Sequence, residues 1–538
     1  ITDANLGTVN IQETVSGATT SLSLRAGMII GGAGGTQSSV NTQALDLNVD
    51  TVAATSATGI YLREIAAGGA ITIDTAAAAT VAIDGVRRAD FDSSTTDVST
   101  SDSRASLEDL RTTLNGPIKL VAEAGSITIN SGTATSVGVS ADGSGDVLLE
   151  ARGAGSDVVV NGDVLSGTGN VTLEAARKVD INEDLVTAGA GDIYVSALAG
   201  QITVGDADTT GIQTASGDIL LKAATSVTLN TGLVSTSNGN IGVIAGSDII
   251  QNQIVSTLGG DILLNAGGNL VQAATSSTTT GAGSGNILLK ATTHISVHAI
   301  NAGSGNVSIE AGGNISDRDA GIIVDIMATN LKLMAGGIIG ASDLGNLTLL
   351  TANVNAIDTA VTTLAAQSVN GIYIQEADAV TIGTVGSLRV TVTATRADFD
   401  SSTTDIVAAR TADVLSDLTT TSNGPVKLVT VNGSITATGG GDAIAVNAHG
   451  TGNVLLDANG TGNDLTLLAN VLSGSGHITL NAADQINIGQ TLTSVLVQTA
   501  AAGTIFVQAD SGSVVMQKES VLRTANGTIH VQSNIDVI

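Results

Sequence analysis

The chain has no cysteine and no tryptophan, only two prolines, and just three phenylalanines and three tyrosines in 538 residues. Without cysteine, disulfides and thiolate metal sites are excluded. Aromatic side chains fill wide cores and anchor specific interfaces, so their scarcity argues against a thick globular core. A core one side chain deep from each wall needs only Val, Ile, Leu and Ala. Pro117 and Pro425 are the only prolines, so proline-rich linkers between separate domains are missing. Basic residues are also few: 20 Lys and Arg stand against 49 Asp and Glu, for a net charge of −29. That balance excludes the basic footprint of a nucleic-acid or anionic-lipid binder. No apolar run reaches about 18 residues, so no membrane-inserted helix is expected. Strong acidity keeps surfaces soluble and mutually repelling, and leaves room for divalent cations.

What is present is small, β-branched and repetitive. A single globular core stops growing near about 250–300 residues, so 538 residues imply several domains or one quasi-linear repeat. The pattern Gly-x-(Ile/Val)-x-(Leu/Ile/Val) recurs at Gly145–Leu149, Gly169–Leu173, Gly191–Val195, Gly217–Leu221, Gly239–Val243, Gly260–Leu264, Gly285–Leu289 and Gly305–Ile309. Gly145 to Gly305 is 160 residues in seven steps, about 23 per step, a solenoid period. Apolar and polar residues alternate within each unit, which is strand periodicity. Further short runs follow, such as Val179 with Ile181 and then Leu185. Two or three strands per unit describe one coil of a β-helix, with Gly and Asn expected to supply left-handed turns between them. A lone coil cannot bury its apolar row, but coils stacked about 4.8 Å apart can, giving a rod on the order of 110 Å. The prediction is an all-β, right-handed parallel β-helix (β-solenoid), the hand following from the rule for parallel crossovers.

A coarser repeat overlies the fine one. Arg88–Asp97 returns unchanged as Arg396–Asp405, and Asn115–Val121 returns with one substitution as Asn423–Val429, both 308 residues later. Tyr61 and Phe91 have counterparts in Tyr373 and Phe399. The modules are placed at 1–309 and, incompletely, at 310–538. Both ends cut across the module, so the sequence reads as part of a longer array. The stretches Asp102–Arg111 and Thr411–Leu418 break the rhythm and are expected to leave the rod as a short helix or a lateral loop.

The Gly-(Asp/Asn)-(Ile/Val)-x-Leu-x-Ala units resemble the filamentous-haemagglutinin-like repeats of bacterial two-partner-secreted exoproteins, and the repeats of giant bacterial surface proteins. That resemblance implies secretion, a right-handed parallel β-helix, and adhesion or surface structure, hence an extracellular or cell-surface location. The secretion-domain Asn-Pro motifs of that family are absent.

Chemistry is sparse. There is no GxSxG, HExxH or phosphate-binding loop. His294 and His298 alternate in a strand, about 13 Å apart, too far to share a metal. Calcium, which takes several carboxylate and carbonyl oxygens, is the one cofactor the sequence suggests. Its candidate ligands are Asp90, Asp92 and Asp97, with their repeats Asp398, Asp400 and Asp405. The expected function is a structural, non-enzymatic fibre component that partners itself head-to-tail or laterally, with surface glycans or neighbouring cells as further partners. The alternatives are the stalk of a large secreted adhesin and a carbohydrate-active β-helix enzyme.

Overall fold

The structure, a computed structural model, describes residues 1–3, 8–12, 20–34, 41–133, 135–205, 210–281, 283–319, 323–342, 353–490 and 493–538. Every regular element among these is a β-strand. Two compact units are formed: Ile1–Gly217 with Ala394–Ile406, and Asp218–Thr393 with Val407–Ile538. The boundary follows contacts, whereas 1–309 and 310–538 mark the sequence repeat.

Each unit is a parallel β-solenoid with three strands per coil. In the first, Ile118 stacks on Val147, Val147 on Val171, and Val171 on Ile193. Ile127, Val158, Val179 and Ile202 make a second row, and Leu110, Val139, Val164 and Leu185 a third. In the second unit Ile219, Ile241, Ile262, Ile287, Val307 and Leu331 form one continuous row. All of these side chains are fully buried. Burying one such side chain contributes about 1.5–3 kcal/mol, and the burial is supplied by the coils above and below. The sheet alternation predicted the rows, and the third short run is a strand of its own.

Three polar rows lock the coils in register. At the Asp/Asn position of the motif, Asp146 Oδ1 accepts from the Asn170 backbone N–H (2.8 Å), and Asn170 Oδ1 accepts from that of Asp192 (2.9 Å). The second unit repeats this through Asp218, Asn240, Asp261, Asn286 and Asn306. Buried hydroxyls form the second row: Thr187, Thr214 and Thr499 each donate to the carbonyl of a following motif glycine, Gly191, Gly217 and Gly503. The third is the row of motif glycines, and these are not the left-handed ones: the expected positive φ is found at other turn residues, such as Gly143, Gly155, Gly303 and Asn115. Gly169 and Gly191 do not have positive φ. They are glycine because a Cβ would lie 2.3 Å from the Gly145 carbonyl oxygen and 2.0 Å from that of Gly169.

The breaks in rhythm are β-hairpins, not helices. The first pairs Ala79–Ala89 with Thr95–Arg104, antiparallel; the second is built from Leu388–Ala397 and Thr403–Ala412. The stretch Asp102–Arg111 therefore splits between the end of a hairpin arm and the coil strand Leu110–Thr112. Thr411–Leu418 splits likewise, with Leu415–Ser416 paired antiparallel to Thr384–Val385. A helix of about eight to ten residues is marginal alone, and in the first segment Asp102–Arg104 pairs with the preceding strand instead.

Candidate functional site

The repeated decapeptide is the tip of each hairpin. Ser93 (φ 70°) and Ser401 (φ 68°) hold the tight turn. Asp90 N–H donates to the Ser94 carbonyl (3.0 Å), as Asp398 N–H does to that of Ser402 (2.9 Å). Asp92 Oδ1 accepts from the Ser94 amide and hydroxyl, and Asp400 from those of Ser402. Thr96 and Thr404 donate to Asp90 and Asp398. Ten identical residues thus fold identically.

Their surroundings are opposite. Both arms of the first hairpin are exposed along their whole length, and Phe91 is fully exposed. The second tip, in the first unit, lies on the flank of the coils. Phe399 is 1% exposed and packs with Ala44, Tyr61, Val121 and Leu148, with the Arg152 guanidinium 5.8 Å from its ring centroid. Ser401 and the Tyr61 hydroxyl are hydrogen-bonded at 2.8 Å. Asn41 Nδ2 donates to the Phe399 carbonyl (3.3 Å). Alternate tip amides meet successive coils: Thr395 N–H donates to Asp192 Oδ2 (2.9 Å) and Ala397 N–H to Thr172 Oγ1 (2.8 Å). Arg396 pairs with Glu174 (3.0 Å), Asp398 and, more distantly, Glu150. Beneath the tip Lys119 is fully buried, with Asp146 at 4.0 Å. Burial pushes its ammonium down to about 8, opposed by Asp146, Asp398 and Asp400.

The six calcium candidates do not converge. Asp90, Asp92, Asp398 and Asp400 are engaged by tip hydroxyls and amides as above. Asp97 faces Arg87 at 3.4 Å, and Asp405 lies near the Thr395 hydroxyl at 3.5 Å. Among the described residues the group whose ligand atoms all lie within 4.8 Å of one another is Asp317, Asp325 and Asp358, in the second unit. Sequence reasoning missed it because the three share no motif; coil stacking brings them together. Asp325 is 1% and Asp358 3% exposed. Asp358 N–H donates to Asp325 Oδ2 (3.0 Å) and Gln375 donates to Asp358 Oδ1 (2.8 Å), while Asp325 Oδ1 and Asp358 Oδ2 have no partner. These are the residues that could hold a divalent cation. Beside them the His298 ring lies 3.5 Å from Asp319. His294 instead serves the coil stack, its Nδ1 accepting from the Asn314 amide (2.9 Å).

Burial, with neighbouring carboxylates adding to it, pushes Asp325 up to about 9 and Asp358 to about 7. A carboxyl raised in the folded state contributes stability that is full below its unfolded value, near 4, and is lost as pH rises through the folded one. With a chelator present, the melting temperature is expected to fall between pH 5 and 9. Asp325→Asn, which keeps the acceptor for Asp358 N–H and adds a donor, flattens that slope and is more stable than the parent at pH 8 by about 1–3 kcal/mol. A parent profile flat across this window would refute the account.

No family model matches the chain, and neither a curated protein nor a solved structure matches it.

Proposed function

We propose that the chain is a structural component of an extracellular bacterial fibre, built from tandem β-solenoid modules that join end to end. The carrying observation is that the coil-to-coil interface is generic. The same glycine row and Asp/Asn ladder recur in both units, from Gly145 to Gly191 in one and from Asp218 to Asn306 in the other. A coil bearing these residues can follow any other, so the stack extends by adding more of the same. Strand edges left unpaired at the end of such a stack are templates for further pairing. The resemblance to secreted exoprotein repeats supports the reading that the fibre lies outside the cell.

Electron cryo-microscopy of the purified chain tests this. The expected result is filaments with an axial repeat of about 4.8 Å running unbroken across chain ends. Separate rods of one chain's length, at any concentration, would sink the fibre reading in favour of a stalk.

A further inference from the structure

The second hairpin tip has a seat and the first, identical in sequence, has none. The seat is defined by two strand ladders on the flank of the first unit. One runs Tyr61, Lys119, Leu148, Thr172; the other runs Arg63, Val121, Glu150, Glu174. The second unit repeats both ladders in the same register: Tyr373, Lys427, Leu455, Thr479 beside Gln375, Val429, Asp457, Asn481. Where the seat is filled, Tyr61, Val121, Leu148 and Thr172 are buried. Their counterparts Tyr373, Val429, Leu455 and Thr479 are all partly exposed. Even the flanking asparagine is reproduced: Asn41 Nδ2 donates to the Gly32 carbonyl and Asn353 Nδ2 to that of Ala341.

We infer that the surface around Tyr373, Val429 and Leu455 is a binding site for the Arg88–Asp97 hairpin tip of a second copy of this chain. The occupied seat specifies the interactions. Phe91 fills the space between Val429 and Leu455, Ser93 meets the Tyr373 hydroxyl, and the Ala89 amide meets Thr479. Arg88 finds one carboxylate, Asp457, where Arg396 has Glu150 and Glu174, because Asn481 replaces the second. The arms of the two hairpins differ in sequence while the ten tip residues are identical, so the part that makes these contacts is the part kept. Donor and acceptor are different surfaces, so the joint is head-to-tail and does not close on itself. This deepens the fibre reading, on which it rests for copies meeting in series, by naming a side-on latch distinct from coil stacking.

The test is complementation, followed by sedimentation. Phe91→Asp destroys the donor, and because Phe91 touches no coil the fold is unaffected. Leu455→Glu destroys the acceptor, and Leu455→Ala serves as the milder variant should the glutamate lower the melting temperature. The parent is expected to form open-ended oligomers as concentration rises. Either variant alone loses at least about 30-fold in association, the effect of removing one central aromatic or aliphatic anchor. An equimolar mixture of the two forms dimers and stops there, since each dimer holds one intact donor on one intact acceptor. Association of Phe91→Asp equal to the parent's, or a parent that stays monomeric, overturns the latch. Filaments with an unbroken 4.8 Å repeat that are indifferent to both variants would keep the fibre and remove the latch. Complementing dimers without that repeat would keep the latch and remove the fibre.

Discussion

Phe399→Ala is expected to cost about 3–5 kcal/mol, the range for deleting a buried phenylalanine, whereas Phe91→Ala, at the same position of an identical ten-residue segment, stays within about 0.5 kcal/mol of the parent. The difference lies wholly in what each ring touches. Phe399 fills a cavity lined by Ala44, Tyr61, Val121 and Leu148, and its loss leaves Val121 and Leu148 facing a void. Phe91 gives up only exposed surface. The hairpin also has a cheaper way to respond than global unfolding, since its tip can lift off the flank while the coils remain stacked. Two measurements separate these responses. Denaturant unfolding reports the global cost. Hydrogen exchange at the Thr395 and Ala397 amides, which donate to Asp192 and Thr172, reports detachment. Detachment would also expose Lys119 further and relieve part of its depression, whose main cause is burial; Lys427, at the equivalent ladder position with no tip over it, is lowered by burial too. Equal effects of the two alanine substitutions on stability and exchange would contradict the docked arrangement.

The coils were legible because their signal is local. Gly-x-Ile-x-Leu states a strand and its inward face within five residues, and Ile287, Leu289 and Ala291 point inward as their alternation requires. The polar rows were half legible. Asp and Asn stand in the motif, yet their partner is the backbone of the next coil, 22 residues away for Asp192 on Asn170, so their function shows only once the coils are stacked. The buried Thr187, Thr214 and Thr499 each stand two residues after an inward Leu185, Ile212 or Val497, so alternation turns them inward, but the glycine carbonyl each one meets shows only in the folded coil. The hairpin tips mark the clearest limit. The decapeptide reads as an exact repeat carrying candidate calcium ligands, and its ten residues hold no information on whether Phe91 or Phe399 is buried. That is decided by the ladders beneath, Tyr61 to Thr172. Asp317, Asp325 and Asp358 belong to the same class: the stacking register makes them neighbours, and no spacing in the chain announces it.

Gly191→Ala is expected to destabilise the first unit by about 3 kcal/mol, the upper end of what overpacking costs when the neighbour is unable to move aside. Its added Cβ would stand 2.0 Å from the Gly169 carbonyl oxygen and 2.6 Å from the carbonyl carbon. Both are backbone atoms held by ladders on either side. Gly155→Ala is the control. Gly155 has φ 83° with open space around it, so alanine there incurs only the left-handed penalty of about 1–2 kcal/mol. Ranking by φ alone would put Gly155 first; ranking by the approach of the neighbouring coil reverses the order. The consequence also differs in kind. In a stack whose stability is a sum of coil and nearest-neighbour terms, Gly155→Ala weakens one turn, but Gly191→Ala forces two coils apart and breaks both the Asn170–Asp192 hydrogen bond and the Val171–Ile193 ladder at that point. Urea unfolding followed by hydrogen exchange is therefore expected to show a lower midpoint for Gly191→Ala, with protection lost first in Val171–Ala175 and Ile193–Ala197. A larger loss for Gly155→Ala would mean that turn conformation, not coil spacing, selects glycine in this motif.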